Sequence, residues 1–189
     1  MPPMSKLVAI LGSVTPPGRM LTALKGALEG REATLINLAD CRVAFADGRP
    51  PEQYGDDTAS IVARVQEARA VILASPVYRG SFTGALKNVL DHLPVEALAG
   101  KPVGIVAMGA TPHHYLGVDW HLRDVLAWFG ALVVPTSVYL QSADFKEGVL
   151  AEEARAELAS LIDALLQMER LTPAKGQFLG PRPLAARRG

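Results

Sequence analysis

The sequence predicts an α/β domain: a parallel sheet of five strands covered by helices on both faces. Three observations carry this. Short, uninterrupted apolar runs recur along the 189 residues, as buried parallel strands require. Each run is followed by a loop or a helix-period segment, the alternation that builds parallel crossovers. Apolar residues make up 49% of the chain and charged residues 20%, ordinary for one folded domain with a substantial core.

The elements follow in order. Leu7–Leu11 is a buried first strand that ends in Gly12-Ser13. A Pro/Gly loop leads to a predicted helix over Met20–Leu28. Thr34–Leu38 is the second strand, and Cys41 to Gly55 reads as a long loop. Asp56 or Asp57 caps a helix that runs through Ile61, Val65 and Ala68. Ala70–Ala74 is the third strand, Pro76 to Ser81 a turn, and Thr83–Leu93 a helix. Val103–Met108 is the fourth strand, followed by a Gly/Pro/His loop and a helix over Asp119–Phe129. Val133–Leu140 is the fifth strand. Glu152–Met168 is an amphipathic helix with Leu158, Leu161, Ile162, Leu165 and Leu166 on one side. Right-handed crossovers leave few topologies, and the expected one is the flavodoxin-like three-layer sandwich with strand order 2-1-3-4-5. Residues 1–170 form this domain. Residues 171–189, with Pro173, Pro181, Pro183 and several arginines, read as a loosely structured tail.

Composition excludes several classes. The 19 basic and 19 acidic residues balance, so no global field favours nucleic acid or an anionic membrane. The single cysteine, Cys41, excludes an internal disulfide and a thiolate-cluster metal site. Met1 to Lys6 has no apolar signal-peptide core, and no apolar run reaches the roughly 18 residues that span a bilayer. The expected location is the cytoplasm. The adjacent His113 and His114 point apart in most loop geometries and do not suggest a metal site.

A strand order of 2-1-3-4-5 places a ligand above the carboxyl ends of strands one and three. The loops there are the most unusual stretches of the chain. Gly12-Ser13-Val14-Thr15-Pro16-Pro17-Gly18-Arg19 links a buried strand to a helix start. Free N–H groups at a helix N-terminus, two hydroxyls and a forked cation suit a phosphate. Ser75-Pro76-Val77-Tyr78-Arg79-Gly80-Ser81 offers a stiff turn, a flat aromatic face and close backbone approach, which suit a planar ligand. Both stretches also fit ordinary surface loops.

From Ser75 to Leu93 (SPVYRGSFTGALKNVLDHL) the chain resembles the NADPH-dependent FMN reductase family, and within it the reductases of two-component sulfonate monooxygenases. The resemblance continues through Gly109–His114, Val118–Arg123, Val138-Tyr139 and Ser142–Phe145, and covers roughly residues 6 to 165. It implies a flavodoxin-like fold, FMN, NADPH or NADH, and a homodimer or homotetramer. Carried over by position, Ser13, Arg19 and the backbone at Met20 and Leu21 hold the phosphate. Pro76, Val77, Tyr78, Arg79 and Gly80 meet the flavin ring, and Gly109, Ala110 and Thr111 lie along its other edge. Arg79 and His114 are candidates for the nicotinamide nucleotide's phosphates. No general acid or base is nominated, because the cofactor carries the chemistry.

Two departures from the family pattern stand out. The family loop carries hydroxyl residues around its Arg, where this chain has Gly18 and Met20. Each lost hydroxyl removes a charge-assisted hydrogen bond worth about 1.5–3 kcal/mol, so a loosely held FMN is expected. Trp120 occupies a position where the sulfonate-linked reductases have a Tyr or His, in a helix with a π-bulge at an oligomer interface. Read from its neighbours alone, Trp120 is a partly buried aromatic beside Trp128 and Phe129. The expected function is reduction of FMN by NADPH or NADH, with the product passed to a monooxygenase. The alternative is a quinone- or azo-type reductase that keeps its FMN.

Overall fold

The computed structural model describes residues 6–15, 18–172 and 179–183. The expectations for Met1 to Ser5, Pro16, Pro17 and most of the tail fall outside the described residues.

The strands are β1 (Leu7–Leu11), β2 (Ala33–Asn37), β3 (Ala70–Pro76), β4 (Pro102–Gly109), β5 (Leu132–Val133) and β6 (Val138–Gln141). They form one parallel sheet in the order β2-β1-β3-β4-β5, with β6 also paired to β4. Every residue of β1 is buried, as is nearly all of β3 and β4, which is why these strands read as continuous apolar runs. The helices are α1 (Arg19–Leu28), α2 (Thr58–Glu67), α3 (Gly84–His92), α4 (Tyr115–Phe129) and α5 (Glu152–Leu171). One face of the sheet packs with Leu21 and Leu24 of α1 and Leu158, Leu161 and Leu165 of α5. The other packs with Ile61 and Val65 of α2, Leu86 and Val89 of α3, and Val118, Leu122 and Leu126 of α4. The three-layer sandwich is therefore as the sequence predicts.

Three elements differ from expectation. The predicted fifth strand is two short strands that pair successive parts of β4: β5 with Pro102–Val103 and β6 with Val106–Gly109. Pro135 lies in the break and has no N–H to give a ladder. Arg123 bridges the break, donating to the carbonyl oxygens of Val134 at 3.0 Å and Pro135 at 2.9 Å while paired with the buried Asp119 at 2.8 Å. Helix α4 begins at Tyr115, four residues before the predicted start, after a single 3-10 turn at Pro112–His114. It is α-helical throughout, with no π-bulge at Trp120. A hairpin of β7 (Phe145–Lys146) and β8 (Val149–Leu150) was not predicted; its two-residue Glu147-Gly148 turn has both φ angles positive. Among the described residues, no helix is long and apolar enough to cross a membrane.

Candidate active site

Strands β1, β3 and β4 lie side by side and parallel, so the loops at their carboxyl ends meet on one edge of the sheet. Hydrogen bonds knit these loops together. The Thr83 hydroxyl donates to the Gly12 carbonyl oxygen at 2.6 Å and accepts from Leu86 N at 3.2 Å, capping α3. The buried Ser75 hydroxyl accepts from Thr83 N at 3.0 Å and donates to the Pro76 carbonyl oxygen at 2.9 Å. Val77 N donates to the Met108 carbonyl oxygen at 2.8 Å, which joins the β3 loop to β4. Gly12 is required at this junction. A side chain there would begin 2.8 Å from Leu86 Cβ and 2.9 Å from the Thr83 hydroxyl.

In the β1 loop, the Ser13 and Thr15 hydroxyls share a hydrogen bond of 2.9 Å. Gly18 caps α1 without a side-chain bond, and its carbonyl oxygen accepts the first helical bond, from Thr22 N. Helix geometry then leaves the N–H groups of Arg19, Met20 and Leu21 without helical acceptors. The Met20 and Leu21 side chains are buried among α1 and α5 residues, so at these positions only the backbone is presented. Arg19 is exposed and contacts residues beyond β6. Its Nη1 donates to the Ser142 carbonyl oxygen at 3.4 Å, and its guanidinium lies 5.9 Å from the Phe145 ring centre.

The β3 loop is a tight reversal. Tyr78 N donates to the Ser81 carbonyl oxygen at 2.8 Å and Ser81 N to that of Tyr78 at 3.1 Å. Arg79 and Gly80 both have positive φ, 51° and 79°, the pattern of a type I′ turn. Glycine adopts this freely, and arginine does not. The Tyr78 ring is exposed beside half-buried Pro76 and Val77. Past β4, the Tyr139 hydroxyl donates to the Thr111 carbonyl oxygen at 2.6 Å, and burial pushes its pKa above the usual tyrosine value. Gly109 leaves the space that this hydroxyl fills, and Thr111 and His114 are joined by a 3.4 Å side-chain contact.

The structure thus sets Ser13, Arg19, Pro76, Val77, Tyr78, Arg79, Gly80, Gly109, Ala110 and Thr111 on neighbouring loops over one sheet edge, with the Met20 and Leu21 backbone among them. Sequence reading missed Ser75 and Thr83, which tie the loops, and Ser142 and Phe145, which hold Arg19. A Thr ahead of a helix start was the available signal for Thr83. The others act through long-range contacts. Trp120 is 61% exposed and Trp128 64%, so Trp120 is not the partly buried aromatic its neighbours suggested. Burial, then Asp57 and Asp40, raise the Cys41 thiol pKa, which disfavours the thiolate. A separate cavity of about 310 Å³ opens at the end of β2, and of the predicted site residues only Leu21 lines it.

The fold defines a flavodoxin-like protein, with three loops meeting over the carboxyl ends of β1, β3 and β4. The chain belongs to the NADPH-dependent FMN reductase family, whose profile matches residues 5–145. It is 36% identical over 136 residues to an NAD(P)H-dependent FAD/FMN reductase of Geobacillus thermodenitrificans, covering 71% of this chain and 74% of the relative. It is 32% identical over 185 residues to the NADH-dependent FMN reductase SfnF of Pseudomonas fluorescens, covering 93% and 95%. The structure superposes on the apo crystal structure of the NADH:FMN oxidoreductase EMOB with a TM-score of 0.69 at 26% identity, covering 94% and 96% of the two chains. The protein is an NAD(P)H-dependent FMN reductase that uses FMN and a reduced nicotinamide nucleotide.

Proposed function

We propose that the three-loop crevice holds FMN as an exchangeable substrate and that the reduced flavin leaves for a partner monooxygenase. One observation carries this reading: at the phosphate end, beyond the Ser13 and Thr15 hydroxyls, the first turn of α1 presents only backbone and a single arginine. Gly18 has no side chain, and the Met20 side chain is turned into the core at 5% exposure. Ser13, Thr15, Arg19 and the N–H groups of Arg19, Met20 and Leu21 fit a phosphate dianion through the helix end and one forked cation. The hydroxyl-bearing family pattern is absent at two positions, so phosphate affinity is lower and exchange faster.

The residues of the β3 and β4 loops fit the ring. Pro76, Val77 and the exposed Tyr78 make an apolar wall, and the Tyr78–Gly80 backbone gives polar groups at its edge. Gly109, Ala110 and Thr111 border the opposite edge, held by Tyr139. Bound flavin supplies the hydride-accepting ring. The protein orients that ring and leaves one face open to the nicotinamide, with Arg79 and His114 exposed near the mouth for the dinucleotide's phosphates. The exposed Trp120 and Trp128 on α4 favour a homo-oligomer built on that helix. The balanced charge of the chain suits a cytoplasmic protein without nucleic-acid or membrane partners. We further propose residues 1–170 as the reductase domain and 171–189 as an appended tail.

Steady-state oxidation of NADPH and NADH, with and without added FMN, tests the reading. A rate that rises and saturates with added FMN supports an exchangeable flavin. A yellow protein that needs a quinone or azo dye instead, and ignores added FMN, replaces it with the resident-flavin reductase.

A further inference from the structure

We infer that His121 is a positioning residue for the reductase: acting with Gly117, it fixes the Tyr78–Ser81 turn from helix α4. The inference rests on the reading that this turn meets the flavin ring.

The turn is closed by its own two backbone hydrogen bonds, between Tyr78 and Ser81. It also contains Arg79 at φ 51°, a conformation that non-glycine residues keep only where their surroundings enforce it. Two further holds come from α4. Gly117 packs directly on the tip, and a side chain there would begin 2.6 Å from the Gly80 carbonyl oxygen. One helical turn later, His121 Nδ1 and the Ser81 hydroxyl share a 2.8 Å hydrogen bond. Residues four apart lie on one helix face, so Gly117 and His121 grip the turn side by side. The inner face of α4 presents Val118, Leu122 and Leu126, all fully buried in the core. The helix is thus a rigid strut that sets where the Tyr78 ring and the Arg79–Gly80 backbone stand. Rigid support of this kind determines how well a site keeps its binding geometry.

The test is FMN affinity of the full-length protein, read from flavin fluorescence, for His121→Leu, His121→Asn, Ser81→Ala and the Ser81→Ala/His121→Leu pair. One neutral hydrogen bond is worth roughly a threefold to tenfold change in Kd. His121→Leu and Ser81→Ala should each raise the FMN Kd by that factor, and raise KM for FMN while kcat at saturating flavin holds. His121→Asn, whose amide can reach the Nδ1 position, should restore binding. The double variant should bind no more weakly than His121→Leu alone, because both changes remove one bond. A native Kd in His121→Leu and Ser81→Ala, or a double variant whose loss is the product of the two singles, overturns the inference. Tyr78→Ala separates the two readings. If it weakens FMN binding while His121→Leu does not, only the positioning role fails. If Tyr78→Ala also binds FMN as the native protein does, the turn is not a flavin contact and the underlying reading fails with it.

Discussion

The Thr83 hydroxyl donates to the Gly12 carbonyl oxygen at 2.6 Å, joining the end of β1 to the first turn of α3 inside the core. Removing that hydroxyl leaves a buried carbonyl without a partner and uncaps Leu86 N. Thr83→Val should therefore lower stability by about 2–3 kcal/mol in urea unfolding. Thr83→Ser keeps the hydroxyl and should retain most of that stability. Equal losses in the two variants would show that the methyl group, not the bond, matters.

Arg123 closes the gap between β5 and β6, holding Asp119 and two carbonyl oxygens at once. Asp119 is nearly buried and Arg123 is partly open to water, so Arg123→Met should cost about 2–3 kcal/mol. The loss should shrink when Asp119→Asn is added, because the stranded carboxylate is then gone. A cost unaltered by the second change would contradict the pairing.

Asp56 gives an acid limb to the stability profile. Its carboxyl is held below the ordinary 3.8, first by the facing Thr58 hydroxyl, which itself has no well-aligned hydrogen bond, and then, against a burial cost, by the N–H groups of Thr58 and Ala44. A lowered folded pKa means the unfolded chain binds the proton more readily. The contribution is thus complete above about pH 4 and lost as pH falls through the folded value. Unfolding midpoints between pH 7 and pH 3 should fall less steeply at the acid end for Asp56→Asn than for the native protein. Parallel curves would remove Asp56 from the account.

If α4 builds the proposed homo-oligomer, Trp120→Ala should lower the mass measured by sedimentation and weaken flavin retention, since a 61% exposed indole on a helix otherwise anchored in the core suits contact with a second subunit. Unchanged size and unchanged retention would leave Trp120 as an isolated surface aromatic.

Much of this architecture was legible in the sequence, and the reasons are local. The β1, β3 and β4 runs are apolar because both sheet faces are covered, and Gly12, Pro76 and Gly80 mark the loops between them. The break at Pro135 was written in the missing N–H but hidden by the apolar Leu132–Val134 and Val138–Leu140 on either side. The start of α4 was hidden by Gly117, which looks like a loop residue until the Gly80 carbonyl is seen against it. The contacts of Thr83 with Gly12 and of His121 with Ser81 span 71 and 40 residues, and no local pattern encodes them.

A crystal structure with bound FMN would locate the flavin outright. The phosphate should lie at the N–H groups of Arg19, Met20 and Leu21 with the Arg19 guanidinium beside it, and the ring between the Tyr78–Gly80 turn and Gly109–Thr111. Flavin seated elsewhere, for instance in the cavity at the end of β2 between Lys25 and Arg64, would contradict this placement.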